Sequence, residues 1–223
     1  ADVDTYEHFH AFCDVLVIGG GVAGLQAALA AGQSGARVIV MEQSPHWGGR
    51  APVDGGSIDG ASVEAWIEAT LAELRGMANV SLRTRCMGAG VYDHGYVLGY
   101  ERLRDHAPEA EGPRHRLWRV RAGHVITATG AIERPLSLAG NDGPGVMLAS
   151  AVRDYVVNYG VSPGDRTVLV TNNDNAYLTA IALKHAGLEV PAVLDARVLP
   201  QDSQLVAQAK ALGIRVLMGH AIS

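Results

Sequence analysis

Three glycines near the start of the chain have the types and spacing of a phosphate-binding turn. Gly19, Gly21 and Gly24 fit the pattern G-x-G-x-x-G, with Val22 and Ala23 between the last two glycines. In this motif the first glycine allows a tight turn, the second lets a pyrophosphate approach the backbone, and the third lets the helix pack close to the strand. The free N–H groups at the start of that helix attract phosphate. The motif therefore predicts a dinucleotide site.

An acid follows at the place where such a site requires one. Glu42 ends a second apolar run and is followed by Gln43. A carboxylate there can accept both ribose hydroxyls of an adenosine. It would repel a 2′-phosphate, and Gln43 supplies no compensating charge. These residues favour NAD or FAD over NADP.

Two further segments are predicted to reach the nucleotide. Gly49 and Arg50 lie in a Pro/Gly-rich loop after the acid, where backbone N–H groups could approach the phosphates, although a plain connector explains the loop equally well. Thr129 and Gly130 end a later apolar run. Small residues at the carboxyl end of a parallel strand keep open the crevice in which doubly wound sheets bind ligands.

Regular elements must position these residues. Residues 15–18 and 37–41 predict buried strands that flank an alanine-rich helix, and residues 1–12 predict an arm before the first strand. Residues 62–76 carry apolar side chains at helical spacing, with Ser62 as N-cap and Gly76 as the C′ residue. The next predicted elements are a third parallel strand (79–86), an antiparallel meander (about 89–121) with a hairpin at His94-Gly95, and a fourth parallel strand (122–130).

A second strand–helix series follows the segment NDGPG. Its predicted elements are helices at 148–159, 175–185 and 201–212 and strands at 165–171, 188–194 and 214–218. Residues 172–174 are Asn-Asn-Asp where a phosphate turn would need glycines, so no second dinucleotide site is expected. The sequence thus predicts a doubly wound, FAD/NAD(P)-binding (Rossmann-like) α/β fold. We place the first domain at 1–144 and a second, incomplete and degenerate lobe at 145–223.

Composition excludes several classes of function. The chain has 223 residues, is 48% hydrophobic and carries a formal charge of −5 with dispersed basic residues, so no nucleic-acid partner is expected. No apolar run reaches the ~18–20 residues of a membrane helix, and no signal peptide is recognisable. Two cysteines make no disulfide framework, and His8 with His10 supplies too few ligands for a metal. We expect a cytoplasmic protein without a metal site.

Several blocks resemble one family, the alpha subunits of heterotetrameric sarcosine oxidases. They are YEHFHAFCDVLVIGGGVAGLQAALAAGQSGARVIVMEQ, YDHGYV, ITATGAIERP, PGVMLASAVRDYVVNYGV and TNNDNAY, and the resemblance covers essentially the whole chain. The resemblance implies a complex with beta, gamma and delta subunits that oxidises sarcosine to glycine with oxygen as acceptor. It also implies a non-covalent NAD in the alpha subunit, FAD in the beta subunit and FMN at the alpha–beta interface.

The same resemblance assigns roles to individual residues. It implies nucleotide contacts at Gly19, Gly21, Gly24, Glu42 and Gln43, with Thr129-Gly130 behind them and the backbone of Cys86 near adenine. Val22 departs from the proline that many relatives carry. No residue matches a catalytic position for amine oxidation. The chain is therefore expected to be a cofactor-binding fragment that is not catalytic alone.

Three other interpretations stay open. The chain could come from the alpha subunit of an opine or proline dehydrogenase complex. It could be a free-standing, FAD-dependent pyridine nucleotide oxidoreductase, with FAD in place of NAD. It could also be a non-catalytic scaffold that keeps the nucleotide fold for subunit packing.

Overall fold

The computed structural model describes residues 4–199 and 202–222. The chain divides after Ala131 into two compact units. The segment from Ile132 to the boundary predicted after residue 144 is grouped with the second unit.

The first unit is built on one mixed six-stranded sheet. Its strands and helices, in chain order, are β1 (Tyr6–Ile18), α1 (Val22–Gln33), β2 (Val38–Met41), α2 (Ala51–Asp54), β3 (Ser57–Ile58), β4 (Ala61–Ser62), α3 (Val63–Gly76), β5 (Val80–Arg83), β6 (Cys86–Tyr92), β7 (Tyr96–Arg102) and β8 (His115–Thr127). The sheet order is β5-β2-β1-β8-β7-β6. β5, β2, β1 and β8 run parallel, whereas β7 is antiparallel to both β8 and β6. β3 and β4 form a separate short hairpin.

Side-chain alternation along β1 separates two hydrophobic cores. Val17 packs with Leu25 of α1 and Leu71 of α3 on one face of the sheet. Leu16 lies in the other core with Trp118 of β8. Successive strand residues point to opposite faces, so a strand buried on both sides reads as a continuous apolar run. Burial on both faces of the sheet explains the apolar run at residues 15–18 that predicted the strand.

The arm predicted for residues 1–12 is wrong from Tyr6 onward. β1 begins at Tyr6, because residues 6–13 pair in parallel with β8 in the register Tyr6↔His115 to Cys13↔Ala122. Residues 1–3 of that prediction lie outside the described residues. The end of the predicted meander, up to residue 121, and the predicted fourth parallel strand (122–130) are likewise joined in one strand, β8, which ends at Thr127. Its first half pairs with β7 and its whole length pairs with β1.

The predicted third parallel strand, 79–86, is two strands. β5 ends at Arg83, and Cys86 already begins β6 of the meander. Arg85 between them has φ +54°, a left-handed conformation that interrupts a strand. The hairpin at His94-Gly95 is confirmed, with a short 3-10 turn over Asp93–Gly95.

The predicted caps of α3 are confirmed at the N-terminal end only. The Ser62 hydroxyl accepts the N–H of Ala65 at 3.2 Å, as an N-cap does. Gly76 is the last helical residue and not the C′ residue that was predicted, and Met77 follows it in extended conformation.

The second unit carries a parallel three-stranded sheet with helices. Its elements are α4 (Ala149–Tyr159), β9 (Leu169–Thr171), α5 (Asn175–His185), β10 (Ala192–Asp195), α6 (Gln204–Ala211) and β11 (Arg215–Met218). The sheet order is β11-β10-β9, and the predicted helix start at Gln201 lies outside the described residues. The parallel strands β1, β2 and β5 of the first unit, and β9, β10 and β11 of the second, are separated along the chain by helices, which confirms the predicted Rossmann-like fold class. Over the described residues, no helix is both long and apolar enough to cross a membrane.

Candidate cofactor site

The glycine turn between β1 and α1 packs tightly against its surroundings at two of its motif positions. A Cβ on Gly19 would lie 2.2 Å from the carbonyl oxygen of Ala128, and Gly19 has φ +106°. A Cβ on Gly24 would lie 1.9 Å from the carbonyl oxygen of Gly19. Both glycines are therefore required by the protein itself, one for the turn and one for the close approach of α1.

Gly21 differs from these two glycines. It is the N-cap of α1 with φ −71°, and its missing Cβ would meet only the Cα of Gly49, at 3.9 Å. Among the described residues, no other atom fills the space that a side chain would take. Gly21 therefore leaves room at a helix N-terminus, which is where a pyrophosphate binds in this motif.

Glu42 follows β2, and its carboxylate is tied to the glycine turn. The side chain is only 6% exposed. Its Oε2 accepts the N–H of Gly20 at 2.6 Å, and its Oε1 accepts the N–H of Ser44 at 2.7 Å and the Ser44 hydroxyl at 2.5 Å. The acid therefore lies beside the turn that the sequence predicts it should serve.

The loop after Glu42 returns to the glycine turn. The N–H of Gly48 donates to the carbonyl oxygen of Gly20 at 2.8 Å, and a Cβ on Gly20 would lie 2.5 Å from the Trp47 ring. Gly49, with φ +58°, is beside Gly21. The adjacent Arg50 is engaged within this loop and α2, since its guanidinium pairs with Asp54 at 3.2 Å.

The other predicted site residues surround the same strand ends. The backbone N–H of Cys86 donates to the carbonyl oxygen of Glu42 at 2.8 Å. Gln43 is exposed, and its carbonyl oxygen accepts Nη2 of Arg102 at 2.8 Å. Thr129 and Gly130 are exposed just after β8, where the N–H of Ala128 donates to the carbonyl oxygen of Ile18. The structure thus brings these residues to the carboxyl ends of β1, β2 and β8.

Three residues of this site, Gly20, Ser44 and Trp47, are not predicted from the sequence. Gly20 is a variable position of the motif, yet the Trp47 ring packs where a side chain on Gly20 would lie. Ser44 lies in the loop after the acid, and both its N–H and its hydroxyl donate to Glu42. For Gly20 the glycine triplet is the available signal. The motif G-x-G-x-x-G does not require glycine at its second position, so a glycine there indicates a further constraint.

Both cysteines are buried free thiols, and we expect them to be unreactive in the folded protein. Burial raises the pKa of Cys13 to about 11 and that of Cys86 to about 12. At pH 8 almost no thiolate exists at either position, and the thiolate is the reactive form. Iodoacetamide at pH 8 should therefore label neither residue, and mass spectrometry should detect both labels after denaturation. Labelling of Cys86 in the folded protein would contradict its place in the core.

The second unit has an acid at the position that corresponds to Glu42. Asp195 ends β10 and is fully buried. Its carboxylate is held by Nη2 of Arg197 at 2.6 Å and by the Tyr177 hydroxyl at 2.8 Å. Arg197 also pairs with Asp174, in the turn where glycines would be needed. The predicted lack of a second dinucleotide site stays a prediction, and these internal partners of Asp195 support it.

In the segments 4–199 and 202–222, no group of three or more His, Cys, Asp or Glu residues could hold a metal ion. At the glycine turn of the first unit, backbone N–H groups at a helix start lie beside one carboxylate, that of Glu42. Such a set fits a phosphate and a ribose, which are the shared parts of NAD and FAD.

The fold is the Rossmann-like fold of FAD/NAD-binding domains, and the glycine turn with Glu42 has the geometry that the dinucleotide motif requires. Residues 14–94 match the family model of FAD dependent oxidoreductases. The L-proline dehydrogenase from P. horikoshii has a similar structure, with a TM-score of 0.65 and 24% identity, over 89% of this chain and 38% of that one. At this identity the similarity shows the fold.

Among curated proteins the chain is similar to the alpha chain of sarcosine oxidase from Rhizobium meliloti (strain 1021), with 45% identity over 88% of this chain and 20% of that protein. It is also 33% identical to an opine oxidase component from Agrobacterium tumefaciens (strain Ach5), over 82% of this chain and 37% of that protein. The resemblance to sarcosine oxidase alpha subunits is thus confirmed. The chain spans about a fifth of the length of the Rhizobium relative.

Proposed function

We propose that this chain is the NAD-binding part of the alpha subunit of a sarcosine oxidase complex. The observation that carries the proposal is the pairing of two features. Gly21 leaves open space at the N-terminus of α1, and Glu42 is fixed beside the same turn. The similarity to sarcosine oxidase alpha subunits supports the choice of complex.

Two parts of the dinucleotide, the pyrophosphate and the adenosine ribose, have candidate binding residues. The pyrophosphate would be held by N–H groups at Gly21, Val22 and Ala23, where α1 begins. The adenosine ribose would be held by Glu42, whose charge disfavours the 2′-phosphate of NADP. When bound, a nicotinamide dinucleotide supplies hydride transfer. The residues of this chain contribute binding and orientation.

Amine oxidation is proposed to occur on another subunit. The acid found at the glycine turn, Glu42, is hydrogen-bonded by Gly20 and Ser44, which suits a binding role. The partners would be beta, gamma and delta subunits that hold FAD and FMN, in a cytoplasmic complex oxidising sarcosine to glycine with oxygen. The similarity to the opine oxidase component keeps a related amine as the alternative substrate.

A second candidate is FAD at the same turn. The match to the FAD dependent oxidoreductase model favours it. FAD shares the adenosine and the pyrophosphate with NAD, so Gly21 and Glu42 would serve either cofactor. The two cofactors differ in the part of the molecule beyond the pyrophosphate, so Gly21 and Glu42 do not distinguish between them.

Isothermal titration of the purified chain with NAD, FAD and NADP tests the proposal. We expect binding of NAD and weaker binding of NADP. Tighter binding of NADP would contradict the role of Glu42. A yellow protein that releases flavin on heating would favour FAD, and no binding of any of the three at millimolar concentration would favour a scaffold.

A further inference from the structure

The carboxylate of Glu42 already has almost its full number of hydrogen bonds. It accepts three donors, namely the N–H of Gly20, the N–H of Ser44 and the Ser44 hydroxyl. An ionised carboxylate offers about four acceptor positions. One position is therefore left for a ligand.

An adenosine ribose brings two hydroxyl donors to this acid. Under the proposed function, on which this inference rests, Glu42 would then face five donors for about four positions. One existing hydrogen bond has to be released. The two N–H groups are fixed by the backbone and have no freedom to turn away from the acid.

The Ser44 hydroxyl can turn, because it has a second acceptor within reach. Its oxygen lies 2.5 Å from Oε1 of Glu42 and 2.9 Å from the carbonyl oxygen of His46. A hydroxyl carries one proton and rotates to suit its surroundings. It can donate to the acid or to the carbonyl group, but not to both at full strength.

We propose that Ser44 is a hydrogen-bond switch for the ribose-binding acid. In the nucleotide-free protein its hydroxyl donates to Glu42 and satisfies a buried charge. When both ribose hydroxyls reach Glu42, the Ser44 proton turns to the carbonyl oxygen of His46. Ser44 is thus a positioning residue that competes with the ligand for the acid.

This switch predicts that a substitution in the binding site increases the affinity for the ligand. Hydrogen bonds to charged groups are stronger than those between neutral groups. The unmodified protein therefore gives up a stronger bond for a weaker one when the nucleotide binds. Ser44→Ala has neither bond to exchange, so it should bind a ribose with two hydroxyls more tightly. A simple supporting contact would predict weaker binding.

The experiment compares ADP with 2′-deoxy-ADP by isothermal titration of the full chain. Ser44→Ala should bind ADP about fivefold more tightly than the unmodified protein. Its affinity for 2′-deoxy-ADP should be unchanged, because one ribose hydroxyl fits the free position on Glu42. The melting temperature of nucleotide-free Ser44→Ala should fall by about 2–4 °C, since the buried acid loses a donor.

Two variants serve as controls. Ser44→Thr keeps a hydroxyl and should behave as the unmodified protein with both nucleotides. Ser137→Ala removes an exposed hydroxyl in the second unit and should change neither affinity nor melting temperature. Equal or weaker binding of ADP by Ser44→Ala would overturn the switch and leave the proposed function intact. The same gain with 2′-deoxy-ADP would also overturn it, and no binding of ADP by any protein would overturn the proposed function together with the switch.

Discussion

Gly21→Ala should weaken NAD binding by roughly 10- to 100-fold while the protein stays folded. The new methyl group meets no protein atom closer than the Cα of Gly49 at 3.9 Å, and the backbone of Gly21 has angles that alanine adopts freely. The methyl group would instead occupy the space proposed for the pyrophosphate. Forcing a methyl group against a packed, rigid surface costs about 1–3 kcal/mol, which corresponds to the stated loss of affinity.

The measurement is a pair of experiments on each protein, a titration with NAD and a thermal unfolding curve. Gly76→Ala is the matched control, because its added Cβ meets nothing within 4 Å and lies at the end of α3, away from the glycine turn. Gly24→Ala supplies the contrast, since its Cβ would lie 1.9 Å from the carbonyl oxygen of Gly19 and should destabilise the fold itself. If Gly21→Ala bound NAD as tightly as Gly76→Ala, the proposed position of the pyrophosphate would be wrong.

The parts of the fold that the sequence predicted well are those set by neighbours in the chain. The strand, turn and helix up to Gln33 follow from an apolar run, a glycine motif and helical spacing within one short stretch. The extension of β1 back to Tyr6 was missed because its cause is distant in sequence. Residues 6–12, YEHFHAF, show no regular alternation of polar and apolar side chains, and only pairing with β8 from His115 onward makes them a strand.

The candidate site likewise contains residues that the sequence predicts and residues that it does not. Glu42 was predictable from its position after a strand, because the motif specifies an acid there. The role of Ser44 depends on a loop that turns back so that its hydroxyl reaches Glu42 and the carbonyl group of His46. Trp47 is beside Gly20 for the same reason. The sequence predicts that this loop approaches the nucleotide, but no periodicity or propensity specifies which of its side chains contact Glu42 and Gly20, so the roles of Ser44 and Trp47 are seen only in the structure.

Arg197→Met should destabilise the second unit by about 3 kcal/mol at pH 7. Arg197 contacts both oxygens of Asp195, which is fully buried, and removing one partner of a buried ion pair leaves an uncompensated charge. Methionine preserves most of the volume of the side chain, so the loss reports the charge and not a cavity. Urea unfolding at pH 7 measures the effect. Arg166→Met is the control, since its pair with Glu189 is 71% and 59% exposed and should contribute less than about 1 kcal/mol.

The pH dependence of this effect separates electrostatics from packing. Burial pushes the pKa of Asp195 upward, but hydrogen bonds from Arg197 and Tyr177 outweigh it and hold the pKa below the ordinary value of 3.8. The pair therefore stabilises the unmodified protein above pH 4, and this contribution is lost as the pH falls through the lowered pKa. In Arg197→Met the side-chain hydrogen bonds of Arg197 no longer offset the effect of burial on the pKa of Asp195. The acid should therefore take up a proton at a higher pH, and the neutral form avoids the penalty of a buried charge. The difference in stability between the two proteins should consequently shrink from pH 7 towards pH 4, and a difference that stayed constant over this range would show that Arg197 acts through packing alone.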